Sequence, residues 1–379
     1  MSAFHTDAVV AGGGVVGLAV ARALAQAGLE TIVLERGDGV GRETSARNSG
    51  VMHAGVYYPP GSLKAQLCAP GRAMLARYCA AAGVDFRLCG KLIVAVTGAE
   101  AAALPALRQR ALGNGVRDIR LIDGREAQAL EPEIACVAAL HCADTGVIDV
   151  HGLIQALAAD LRAAGGETAL RAEARAIIPD GDRLLVQVAG AGEETTLSAR
   201  YVVNAAGHGA PLLARNTAGL PPQAAPRQWF AKGSYFAFTG RSPFTRLIYP
   251  AGAPASGRAA GLGVHATLDT GGQLRFGPDV EWTDRPDDHA VDPARQAMFE
   301  AAIRRWWPGL PEGALAPAWA GVRPKLHGPG EPAADFRIDG PQAHGVRGLV
   351  NLLGIESPGL TSCLAIAARV RALLELDAP

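Results

Sequence analysis

The chain opens on an unbroken apolar run, Ala8-Val-Val-Ala11, that stops at Gly12-Gly13-Gly14. An apolar run without alternation predicts a parallel strand covered on both faces. From Val15 to Ala27 small and apolar residues continue at helical spacing, Gly28 supplies a stop, and Thr31-Ile-Val-Leu-Glu35 reads as a second strand. Beyond Glu35 this regular alternation breaks off. Ser62 is placed to cap a helix running toward Ala82, which Pro70-Gly71 should bend or split. The pattern turns strand-like from Phe86 to Val96, with short helices at Leu104–Leu112 and Gly124–Leu130. An amphipathic helix over Val150–Ala164 precedes strands at Ala174–Ile178, Leu184–Val188 and Tyr201–Gly207. Strand pattern resumes at Gln228–Phe238, Leu247–Pro250, Ala260–His265 and Gln273–Phe276, followed by a helix from Pro293 to Trp307. Val346–Leu353 is a further buried strand, and Gly359–Leu376 a closing apolar helix. Segments 190–192 and 252–257 read as loops, and no internal repeat is present.

This order predicts an α/β chain, α+β overall, with one sheet unit inserted into another. The opening strand, helix and strand carry the marks of a dinucleotide site. Gly12 makes the tight turn, Gly14 lets the backbone approach a pyrophosphate, and Gly17 lets helix and strand pack closely. The N–H groups of Val15 and Val16 stand at the positive end of the helix. Glu35 ends the second strand where an acid accepts ribose hydroxyls, with Arg36 beside it. The small residues Ala205, Ala206 and Gly207 after a strand read as another edge of the same cradle, as does Ala174.

Composition adds limits. At 379 residues the chain suits two joined domains, and 36 Lys plus Arg against 36 Asp plus Glu leave no net field for nucleic acid. The cysteines, Cys68, Cys79, Cys89, Cys136, Cys142 and Cys363, form no C-x-x-C pair, so reduced thiols are expected and no metal site. The apolar N-terminal stretch carries the phosphate-binding glycines and lacks a basic n-region, so it is read as structure and not as a signal peptide. No run reaches the length of a membrane span. These points predict a cytoplasmic protein, with peripheral membrane contact left open.

The segment Asn48-Ser-Gly-Val-Met-His-Ala-Gly-Val-Tyr-Tyr-Pro-Pro-Gly-Ser-Leu-Lys-Ala65 resembles the L-2-hydroxyglutarate dehydrogenase/oxidase family, within the D-amino-acid-oxidase-like group of FAD enzymes. Matches continue at Cys89-Gly-Lys-Leu, Leu247-Ile-Tyr-Pro250, Leu262-Gly-Val-His265, Phe276-Gly-Pro278, Ala320-Gly-Val-Arg323 and Ser357-Pro-Gly-Leu-Thr361. Two stretches depart from it, Gly252–Gly261 and Pro324–Glu331, the latter closer to amine-oxidising relatives. The resemblance implies a Rossmann-type FAD-binding domain made of residues 1–85, 146–225 and 320–379, and a sheet-based substrate domain made of 86–145 and 226–319. It extends the cofactor set to Ser45, Arg47, Asn48, Ser49, Gly50, Gly321, Arg323, Gly359, Leu360 and Thr361.

The implied reaction is oxidation of a small 2-hydroxy acid to the 2-oxo acid by hydride transfer to flavin. Such a site needs a base for the hydroxyl proton and a cation for the carboxylate. His53 is the first candidate base and His265 the competing one. Arg323 offers the planar paired donors that grip a carboxylate. Tyr57, Tyr58 and Tyr249 are expected along the pocket with hydroxyls toward a second polar end of the substrate, and Lys325 reads as a surface charge. The helix from Gly359, with Ser357 as its N-cap, would aim its N–H groups at the charged edge of reduced flavin. An amino-acid or N-methyl-amine oxidase of the same fold is the alternative, a flavin-holding protein without turnover the third reading, and His53 as a covalent flavin anchor a minor one. Oxygen, a quinone and an electron-transfer protein all stay open as electron acceptor.

Overall fold

Ala8, Val9, Val10 and Ala11 are almost wholly buried because both faces of their strand, Phe4–Ala11, are covered. Val10 packs with the helices on one side and Val9 with the strands and helix on the other. This is the strand expected before the glycines. The computed structural model describes residues 4–190, 192, 194–252 and 263–376.

Phe4–Ala11 lies in an eight-stranded sheet between two parallel partners, Thr31–Glu35 and Glu194–Asn204. Glu167–Leu170 continues the parallel set beyond Thr31–Glu35, and Leu349–Leu353 pairs with the end of Glu194–Asn204. An antiparallel ladder of Glu173–Asp180 and Arg183–Ala189 completes one edge. The helices Val15–Ala25, Leu63–Ala82, Val150–Ala163 and Gly359–Leu373 share one core, including Leu18, Leu75, Leu157 and Ile366.

A nine-stranded sheet follows the order Glu281–Thr283, Trp229–Phe238, Leu274–Phe276, Ala266–Leu268, Leu247–Pro250, Lys91–Ala95, Ala138–Cys142, Ile119–Asp123, with Leu315–Lys325 also paired to Trp229–Phe238. Its core is rich in rings: Phe236 meets Phe299, and Phe244 and Phe276 pack on Trp306 and Trp307. A small sheet of Val51–Met52, Gly146–Ile148 and Phe86–Arg87 also forms. The mixed α/β class expected from the sequence is the class observed.

Several local expectations change. Leu63–Ala82 is one continuous helix capped by Ser62, whose Oγ accepts from Ala65 N. Pro70 removes one helical hydrogen bond, but packing holds the helix, and Gly71 lets it press on the backbone of Thr361 and Ser362. The run Phe86–Val96 is two strands in different sheets, separated at Gly90, whose φ of +77° turns the chain. The helix placed at Leu104–Leu112 spans Gly98–Gly113; only Leu104 and Ala111 are buried, so its apolar face was too sparse to mark the start. Of the strand expected at Ala260–His265, residues 260–262 lie outside the described residues, as does 253–261 of the departing stretch, and the observed strand begins at Ala266. Leu315–Lys325 belongs to the nine-stranded sheet throughout, so a boundary at 320 falls inside a strand.

Candidate active site

A cavity of about 640 Å³ runs from the glycine turn of the eight-stranded sheet to the face of the nine-stranded one. The glycines shape its first end. Gly12 has a φ of +109°, and a Cβ there would strike the Ala205 carbonyl; one at Gly17 would strike the Gly12 carbonyl. A Cβ on Gly14 would meet only Ser45 Oγ, at 3.2 Å, so the space before Gly14 belongs to the cavity. The N-cap of the helix Val15–Ala25, Gly14, has no side chain to cap it, and no acid stands in the helix's own first turn. Val15 N donates to Ser45 Oγ at 3.0 Å, joining the helix to the loop of residues 44–50.

Glu35 is nearly buried and faces this space. Its two carboxylate oxygens accept from Gly13 N at 2.9 Å and Gly37 N at 2.7 Å, which fixes the turn while leaving lone pairs toward the cavity. Val16, Arg36, Arg47, Asn48 and Ser49 line the same wall, as do Ala174, Ala205, Ala206 and Gly207 opposite. Asn48 ties its own loop: Nδ2 donates to Ser45 O and Oδ1 accepts from Gly50 N. A glycine cradle that side chains would fill, a helix end and an acid together fit an adenine dinucleotide.

The second end of the cavity is lined by side chains from distant segments. His53, Tyr57, Tyr58, Tyr249, His265 and Arg323 all face it, with Gly321, Gly359 and Leu360. Burial holds the His53 ring down at about 3, with Lys91 and His265 adding to the effect; its Nε2 lies 3.2 Å from Ser357 Oγ. His265 is lowered to about 3 by burial too, against the opposing pull of its bond to Gly263. Because a carbonyl only accepts, His265 Nδ1 donates to Gly263 O at 3.0 Å, and Nε2 carries the lone pair. The His265 ring stacks on Tyr249 with centroids 3.9 Å apart.

Arg323 Nη2 donates to Asp279 O at 3.2 Å, and among the described residues no carboxylate pairs with its guanidinium. Asp279 is already committed to Arg295 and to Ser234 N. A guanidinium on a cavity wall without an acid is suited to an incoming carboxylate.

Two expected site residues lie elsewhere. Gly50 does not line the cavity; its φ of +65° shapes the turn under Ile148 O. Thr361 is fully buried behind the wall, where Oγ1 donates to Val51 O and accepts from His53 N at 3.0 Å, so it holds the His53 backbone. Ser357 does not cap the last helix, whose N-cap is Pro358 without a side-chain bond, because its hydroxyl is turned to His53. Lys325 is not a surface charge. It is buried, and with Lys64 it shares Glu356, at 2.6 Å from Oε2 and 2.9 Å from Oε1. Burial alone would push the Glu356 carboxyl up, but the two ammoniums outweigh it and hold it at about 2. Lys64, Glu356 and Ser357 were absent from the expected site; Lys64 stood within a matched segment, but nothing local marked its partner 292 residues away.

The profile of the family described as FAD dependent oxidoreductase matches residues 7–373. The chain is 40% identical over 404 residues to "L-2-hydroxyglutarate dehydrogenase, mitochondrial" of Arabidopsis thaliana, covering 97% of this chain and 83% of that protein. It is 32% identical to the protein of the same name from Pongo abelii, covering 96% and 86%. Among solved structures, dithionite-reduced L-α-glycerophosphate oxidase from Mycoplasma pneumoniae with FAD bound superposes with a TM-score of 0.87 at 25% identity, over 100% of this chain and 96% of that one. Glycine oxidase from Geobacillus kaustophilus shares the fold, with a TM-score of 0.82 at 20% identity over 99% and 96%.

The relatives correct the cytoplasmic expectation, since those of Arabidopsis, Pongo abelii and Homo sapiens are each named mitochondrial. All six cysteines are unpaired, which does not tell one compartment from another. Among the described residues no helix is long and apolar enough to cross a membrane. With the glycine cradle, the family profile and an FAD-bound structural relative in agreement, the chain belongs to the FAD-dependent oxidoreductase family and is an FAD enzyme.

Proposed function

We propose that this chain oxidises the C2 hydroxyl of L-2-hydroxyglutarate to the 2-oxo acid. The observation that carries this reading is Arg323, a guanidinium on the cavity wall without a carboxylate partner, beside two imidazoles that stay neutral. The relatives' name supplies the substrate class. The chemistry that FAD would supply when bound is acceptance of a hydride. Gly12, Gly14, Gly17 and the end of the first helix would hold its pyrophosphate, Glu35 would hold the ribose, and the 45–49 loop with Gly321, Gly359 and Leu360 would hold the ring system. The proposed division into an FAD-binding and a substrate domain is supported by the two large sheets, and the strand Leu315–Lys325 favours moving its last boundary from 320 to after Lys325.

Arg323 takes the C1 carboxylate and sets C2 in place. His53 takes the hydroxyl proton onto its ring, oriented by Ser357 and by the Thr361 bond to its backbone. His265 is the second reading for the base, favoured by the Gly263 bond that leaves Nε2 with its lone pair. Oxygen, a quinone and an electron-transfer protein are the acceptors to be compared by reoxidation rate.

The test is an anaerobic absorbance spectrum before and after L-2-hydroxyglutarate is added. Bleaching of the flavin band is expected. A band that stays, but bleaches with an amino acid or N-methyl amine, transfers the site to C–N oxidation.

A further inference from the structure

Of the four lysines in the chain, three meet carboxylates: Lys64 and Lys325 share Glu356, and Lys232 meets Asp288. Lys91 does not. It begins the strand Lys91–Ala95, every residue of which is buried, and it is itself 1% exposed. Its register partner on the neighbouring parallel strand is Leu247, so it shares a sheet face with Leu247 and Tyr249. Its Nζ lies 4.8 Å from the ring centroid of Tyr57 and 4.6 Å from that of Tyr249, and those rings stack 6.5 Å apart. The nearby thiols give no counter-charge, because burial pushes Cys68 up to about 12 and raises Cys142.

Two ring faces attract an ammonium, but they do not replace the anion or water a buried charge requires. The same cluster has a second deficit. The hydroxyls of Tyr57 and Tyr249 are buried without a hydrogen-bond partner among the described residues, although both residues line the cavity. Two phenol donors left unmatched on a ligand cavity, with a buried lysine behind them whose ammonium form burial disfavours until an anion offsets it, form a site for an anion. His265, stacked on Tyr249, feels both the Lys91 ammonium and the Arg323 guanidinium, so the two cations serve the same stretch of wall.

We infer that the Tyr57 and Tyr249 hydroxyls, backed by the Lys91 ammonium, receive the distal carboxylate of the substrate, and that Lys91 thereby selects dicarboxylic over monocarboxylic 2-hydroxy acids. The inference rests on the function proposed above and names what that function leaves unassigned: Arg323 holds the carboxylate next to the reacting carbon, and this cluster holds the far one. Lys91 acts through the phenols and is a positioning residue, not a catalytic one. The Lys64–Glu356–Lys325 group, two ammoniums on one carboxylate with all three residues on the cavity lining, is the rival location, and a Lys325→Met variant decides between the two.

The experiment compares kcat and KM of the flavin-loaded enzyme on L-2-hydroxyglutarate and on L-2-hydroxypentanoate, which has the same chain length without the second carboxylate. In Lys91→Met the preference for the diacid falls about 10- to 100-fold, carried in KM. Tyr57→Phe and Tyr249→Phe lower it in the same direction and decide the matter if Lys91→Met does not retain flavin. Equal losses on both acids assign Lys91 a structural role and overturn the inference. Collapse of the preference in Lys325→Met with none in Lys91→Met overturns it as well. Wild-type protein that does not oxidise the diacid removes the underlying reading, and is seen before any variant is made.

Discussion

The glycine-lined end of the cavity and its imidazole-lined end hold their ligands by different means. At the first, backbone does the work: Gly12, Gly14 and Gly17 clear space, the helix end supplies the field, and Glu35 pins the turn through Gly13 N and Gly37 N. All of it lies within one strand–helix–strand unit of about thirty residues. At the second, side chains separated by hundreds of positions converge. His53 is placed by Thr361 and Ser357, Lys64 and Lys325 by Glu356, and Lys91 by two tyrosine rings. A backbone cradle is indifferent to what the rest of the ligand is. A side-chain site is specific, and it depends on tertiary contacts for every part.

Substitution at each end should therefore fail differently. The largest effect is expected at Gly14→Val: its side chain enters the pyrophosphate space, so purified protein should lack the flavin absorbance band and all activity while keeping its far-ultraviolet circular dichroism. Retained flavin would break the comparison at its first term. His53→Ala should keep the flavin and lose about 100- to 10,000-fold in kcat, as removal of a general base does. If His265→Ala shows that loss and His53→Ala does not, the base is His265. Arg323→Ala should keep flavin and lose about 100-fold in kcat/KM, mostly through KM.

The pH response sharpens the same contrast. Both imidazoles sit at about 3, so neither gains a proton above about pH 5, and kcat/KM should show no histidine ionisation near neutrality. Stability behaves otherwise. The folded values lie below the unfolded 6.5, so the unfolded chain takes up these protons first. Stability is fully present above 6.5 and is lost as pH falls toward 3, and the midpoint of thermal unfolding should fall over that window. His265→Gln should flatten the slope. The smallest effect is at Thr361→Val, which leaves the His53 N–H unmatched and should cost about 1–3 kcal/mol in unfolding free energy, with flavin retained.

The glycines and Glu35 were legible because their meaning is local, as was the class of the fold. His53, His265, Arg323, Tyr57 and Tyr249 were named from matched segments, and the structure brings them to one wall. Thr361 and Gly50 were named on the same grounds and lie behind it, since a motif marks a segment and not which of its atoms face a ligand. Lys325 was misread because nothing adjacent in the sequence reveals a partner at 356. Lys91 carried a signal that went unused: a cation heading the strand Lys-Leu-Ile-Val-Ala is either exposed or matched from elsewhere.

By itself the sequence determined the dinucleotide turn and the buried parallel strand, because φ, Cβ sterics and apolar periodicity act over neighbouring residues. The tertiary structure alone decided which imidazoles are neutral, which lysines have carboxylates and which hydroxyls are left unmatched. Those properties come from desolvation and charge pairing, which depend on distances that chain spacing does not set.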